Sequence, residues 1–162
     1  MSKAFDFSAV NLRKLTDDAQ EMEVVHPETQ EGLGVFLAVR GFESETFKQM
    51  ARKEANAERK RRFEAERKGK AASVRLLEDD EVVNLRMTSA LVEGWRTVVD
   101  GKSEPVIYVS GAKLEFNADN LDAWLREYDW VIPQIDKFAG DVANFTKGSS
   151  GSLPTSPPVT SS

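Results

Sequence analysis

The sequence predicts an α+β fold, mainly helical, with an N-terminal β-hairpin, a second short hairpin and a disordered C-terminal tail. Three observations predict it. Residues 21–41, EMEVVHPETQEGLGVFLAVRG, are two apolar, β-branched runs joined by a polar turn that contains Pro27 and Gly32. From Ser44 a charged segment runs to Gly69 without an intervening Gly or Pro, as a long helix requires. Apolar residues then recur at spacings of three and four from Val83 to Val98, and again from Leu121 to Phe145.

At the N-terminus, Phe5, Phe7, Val10, Leu12 and Leu15 are apolar, and Ser8 is placed to cap a short helical turn. The first strand covers Glu21–Val25 and ends near His26, because Pro27 has no N–H to give to a ladder. The second strand covers Leu33–Arg40, with Val35, Leu37 and Val39 on one face and Phe36 and Ala38 on the other. Both faces are partly apolar, so helices are expected to cover one of them fully. Ser44 caps the next helix, and Glu43 and Glu45 favour the positive end of its dipole. This helix reaches Lys68 with few apolar residues: Phe47, Met50, Ala51, Ala55 and Phe63. Most of it must face water unless a partner covers it.

A second helix is expected over Arg75–Val98, with Val83, Met87, Ala90, Leu91, Trp95 and Val98 as its stripe and Asp100-Gly101 as its stop. The second hairpin pairs Val106–Val109 with Ala112–Phe116 about Ser110-Gly111. A third helix, capped by Asn117 or Asp119, covers Asp119–Tyr128 and buries Leu121, Trp124 and Leu125. A fourth covers Val131–Phe145, with Pro133 in its first turn, where a missing N–H costs little. From Lys147 the chain reads KGSSGSLPTSPPVTSS, too poor in apolar surface to offset its conformational entropy. The predicted organisation is one domain over 1–146, a charged helix at 44–68 protruding from it, and a tail over 147–162.

Composition narrows the function classes. A length of 162 residues fits one domain. The absence of cysteine removes disulfides and thiolate chemistry. The opening MSKAFDFSAVNLRKL lacks the apolar core of a signal peptide, and no run approaches the roughly 18 apolar residues of a membrane span, so a soluble, cytoplasmic chain is expected. The net charge of −5 is unevenly spread: Lys48–Lys70 holds ten basic and four acidic residues, the rest 12 basic and 23 acidic. Such asymmetry bears on partners rather than on fold.

No catalytic, cofactor-binding or metal-binding set is expected. His26, the single histidine, precedes a proline at a turn and reads as a strand-end residue rather than a positioned base. Asp79-Asp80-Glu81 point about 100° apart on a helix and cannot converge on one cation; they suit a helix start. Gly32-Leu33-Gly34 does not follow a strand and open a helix, so it is not a nucleotide fingerprint. Trp95, Trp124 and Trp130 read as core, Trp130 the most exposed of the three. Arg59-Lys60-Arg61-Arg62 spread around the helix axis, and their plain reading is a solvated face paired with Glu54, Glu58, Glu64 and Glu66. The candidate partner-binding residues are Arg59, Arg61, Arg62, Phe63 and Trp130.

Residues 21–41 with the charged helix after them, and the later segment VEGWRTVVDGKSEPVIYVSGAKLEFNADNLDAWLREYDWVIPQIDKFAGDVANF, resemble the tail assembly chaperones of long-tailed bacteriophages. In that family a helix ends in a Trp and an Asp-Gly-like turn. A short β element follows, then a helix, then a closing helix with an aromatic near a terminal Asn-Phe. The corresponding features here are Trp95, Asp100-Gly101, Val106–Phe116, Leu121–Leu125 and Phe138–Phe145. The resemblance covers residues 5–146 and carries no catalytic residue or cofactor. It implies a non-enzymatic protein of the host cytoplasm, absent from the mature virion, that binds the tape-measure protein and assists tail-tube assembly. The partners expected are the tape-measure protein, the tail-tube protein and a second copy of the chain, with no membrane. A structural minor tail protein, or a nucleic-acid-binding or regulatory protein using the basic helix, is the alternative.

Overall fold

The computed structural model describes residues 4–68 and 77–149, and its architecture is α+β. The first hairpin is present as β1 (Gln20–Val25) and β2 (Gly32–Val39), antiparallel, with Met22 opposite Leu37 and Glu23 opposite Phe36. Its turn is closed by His26 N–H donating to Glu31 O at 2.8 Å and Gln30 N–H donating to His26 O at 2.9 Å. His26 Nδ1 accepts from the backbone N–H groups of Glu28 and Thr29, which makes it a turn residue.

The hairpin is half of a larger sheet. Its strands extend to β3 (Val92–Val99) and β4 (Lys102–Glu104) in the order β1-β2-β3-β4, all antiparallel. The helix expected over Arg75–Val98 is therefore corrected. α3 covers Leu77–Leu91, and the chain passes straight into β3 at Val92. Two local features hid the strand. Trp95 and Val98 continue the spacing of three and four from α3 by coincidence, while a bulge that sets Val39 opposite Val92 and Ala38 opposite Gly94 buries both Val92 and Trp95 and breaks the strand's alternation. Asp100-Gly101 is not a helix stop but the β3–β4 turn, with φ of 52° and 74°, the pair of positive values a tight hairpin turn demands. Ser110-Gly111 does the same for β5 (Val106–Val109) and β6 (Ala112–Glu115), the second hairpin expected from the sequence.

Met22, Val24, Leu37, Val39, Trp95 and Thr97 are buried on the inner sheet face, which the helices cover. The outer face keeps Phe36, Ala38, Arg96 and Val98 half-exposed. There Arg96 lies 4.4 Å above the Phe36 ring and reaches across β2 to Glu21. Gly34, φ 72°, is required: a Cβ there would lie 2.9 Å from Val98 O.

α4 (Ala118–Glu127) is capped by Asn117, whose Oδ1 accepts Asn120 N–H at 2.8 Å, and it buries Leu121, Trp124 and Leu125. A 3-10 turn, Asp129–Val131, leads into α5 (Ile132–Gly140) and then α6 (Ala143–Ser149). The single helix expected over Val131–Phe145 is thus broken. Asp141 adopts an extended conformation after Gly140, and its carboxylate accepts Ala143 N–H at 3.1 Å, starting a new helix. The break turns Phe145 back into the core, 1% exposed, with its ring 5.6 Å from Phe138. Lys147–Ser149, expected in the tail, belong to α6; residues 150–162 lie outside the described residues.

The N-terminal turn, Phe7–Val10, is capped by Asp6 rather than Ser8, and α1 (Leu12–Leu15) by Asn11. Ser44 caps α2 (Glu45–Arg67) as expected, accepting Phe47 N–H at 3.2 Å.

Candidate partner-binding surface

α2 is anchored at its base, packs against α3, and exposes residues 59–64. Thr46 Oγ1 donates to Asp17 at 2.7 Å, Lys48 pairs with Glu43 at 2.7 Å, and the Phe47 ring packs 5.1 Å from Phe42. Halfway along, Arg86 of α3 reaches Glu54 at 2.6 Å, so this glutamate, read from the sequence as an intrahelical partner, joins the two helices instead. Its other carboxylate oxygen is buried without a hydrogen bond. No residue of the 23 in α2 is buried, although an α-helix of that size extends about 34 Å.

Arg59, Arg61, Arg62 and Phe63 all lie in the exposed distal half, and the Phe63 side chain is 66% exposed. Glu58 pairs with Arg61 at 3.4 Å and Arg62 at 3.3 Å, the intrahelical pairing expected of a solvated face. Such exposed pairs contribute little to stability. Trp130 sits elsewhere, half-buried against the core in the 3-10 turn. It belongs to the body, not to the arm.

Among the described residues, depressions flank α3 on two sides. A cleft of about 550 Å³ separates it from α4 and α5, lined by apolar Val82, Leu85, Leu125 and Ile132 and by charged Glu81, Arg126 and Asp129. Val82, at 42% exposure, was the sequence signal for it: an apolar residue off the buried stripe of its helix. The second, about 380 Å³, lies between Phe42, Phe47, Met87, Leu91 and Ile132 and contains Asp136. Burial raises the Asp136 carboxyl above the usual aspartate value, opposed by a hydrogen bond from Thr88.

Among the described residues no group of three His, Asp or Glu is placed to hold a metal ion, and no helix is long and apolar enough to cross a membrane. No protein-family model matches the chain, and no curated protein or solved structure does so either.

Proposed function

We propose that this chain is a non-enzymatic tail assembly chaperone of a long-tailed bacteriophage, which binds the tape-measure protein in the host cytoplasm and assists assembly of the tail tube. The observation that carries the reading is α2: a 23-residue helix, anchored at one end, with none of its residues buried and Phe63 exposed among basic residues. Its base packs on the body and it meets α3 through Glu54, whereas residues 59–64 are all exposed and offer a face to another chain. A tape-measure protein, long and helical with apolar seams, needs such a temporary cover. Three elements of the resemblance are altered: Trp95 lies on a strand and not at a helix end, Asp100-Gly101 turns a β-hairpin instead of ending a helix, and the closing helix is broken at Asp141. The hairpin, the charged helix and the helical segments after the second hairpin are the features that support the reading.

The reading is tested by co-expression. An aggregation-prone tape-measure protein should become soluble with this chain and stay insoluble without it, and the chain should be missing from purified virions. Its presence in virions favours a minor tail protein. The exposed arginines of α2 favour nucleic acid as a second reading; tight DNA binding that falls steeply with salt, together with unchanged tape-measure solubility, replaces the chaperone by that alternative.

A further inference from the structure

The exposed part of α2 and the cleft beside α3 are complementary. Phe63 presents an aromatic ring at 66% exposure, with Arg59, Arg62 and Arg67 and also Glu64 and Glu66 as its neighbours on the helix. The cleft has an apolar lining with two carboxylates, Glu81 and Asp129, and one guanidinium, Arg126, on a body whose charge outside Lys48–Lys70 is strongly acidic. Among the described residues of one chain the two are not joined: the ring is exposed and the cleft is open. We infer that a second copy of this chain supplies the occupant, with Phe63 of one protomer's α2 seated on Val82, Leu85, Leu125 and Ile132 of the other and its arginines facing Glu81 and Asp129.

The chemistry favours a copy over an unrelated helix because a basic arm with an exposed ring and a net acidic body with an apolar cleft are carried by the same polypeptide. An apolar anchor ringed by charge is the usual form of a helix-in-groove contact. The aliphatic stems of arginine cover apolar surface while their guanidinium groups remain at the rim. Long-range attraction between basic arm and acidic body speeds encounter and makes it salt-dependent. The inference does not rest on the chaperone reading.

The test uses two surface variants of the full chain, Phe63→Ser, which keeps the cleft, and Val82→Lys, which keeps the arm. Both positions are exposed, at 66% and 42%, so neither change empties the core. In sedimentation velocity at low salt, about 0.05 M, the wild type should form dimers or larger species that dissociate at about 0.5 M. Each variant alone should associate at least about tenfold more weakly. An equimolar mixture of the two should regain a one-to-one dimer, since one supplies an intact arm and the other an intact cleft. A wild type that stays monomeric at about 100 µM in low salt, beyond the micromolar range of a weak specific complex, overturns the inference. So does association that both variants leave intact. A monomeric wild type whose Val82→Lys form loses binding to a foreign helix assigns the cleft to that partner, and also overturns it.

Discussion

Trp95 shows what one residue carries here. It is 5% exposed, its ring lies edge-on to Phe116 at 5.1 Å and Trp124 at 5.6 Å, and its Nε1–H donates to Leu114 O at 3.1 Å. One side chain thereby ties β3 to the second hairpin and to α4. Trp95→Ala should cost about 3–5 kcal/mol, because it leaves a large cavity and strips a carbonyl of its donor. Urea denaturation measures this; a loss under about 1 kcal/mol would show that the site collapses around the change. Its burial was legible in the sequence, but its direction was not, since a bulge decides which neighbours share its face. Asp136 was not legible, because only the third dimension surrounds it with Phe42, Met87 and Leu91. Its raised folded-state value means that the folded chain binds this proton more readily than the unfolded one. Stability is therefore penalised while Asp136 is ionised, and the penalty is relieved as pH falls through the folded-state value. Asp136→Asn should flatten that part of the stability-against-pH curve; an unchanged curve contradicts the assignment.

At the scale of elements, the sequence yields the parts whose signals are local and uninterrupted. The first hairpin, the Ser44-capped helix, the second hairpin and the Asn117-capped helix need only alternation, a cap or a turn. β3 was lost because Trp95 and Val98 extend the stripe of α3 by coincidence, and because Asp100-Gly101 serves both as a helix stop and as a hairpin turn. No loop separates α3 from β3 to mark the change. The break at Asp141 was hidden for a related reason, since Phe138, Val142 and Phe145 fit one continuous stripe while the chain turns between them. The β3 assignment has its own consequence. Arg96 and Glu21 pair across β2 only if residues 92–99 are a strand. A double-mutant cycle on the two should give a favourable coupling that fades with salt. Hydrogen bonding from Arg96 holds the Glu21 carboxyl below its ordinary value, so this contribution is present above the usual glutamate range and is lost as pH falls through the lowered value. Strict additivity of the two substitutions contradicts the pairing.

The whole molecule divides its labour. A core of sheet, α3, α4 and α5 fixes the body, and α2 leaves it at Ser44 with exposed charge and one exposed ring. Reversing charge at Arg59, Arg61 and Arg62 should leave the thermal midpoint within a few degrees, because exposed substitutions outside the core usually change stability by under about 0.5 kcal/mol. The same variant should bind its partner more slowly and with a weaker salt dependence. The central claim is that this arm exists to be covered, and hydrogen exchange tests it most directly. In the free chain at high salt, where self-association is screened, amides from Lys53 to Arg67 should exchange fastest among the helices. Adding a soluble segment of the proposed partner, the tape-measure protein, should slow exchange there by tenfold or more, about 1.4 kcal/mol of added local protection. Binding that protects only the body and leaves α2 exchanging as before contradicts the account.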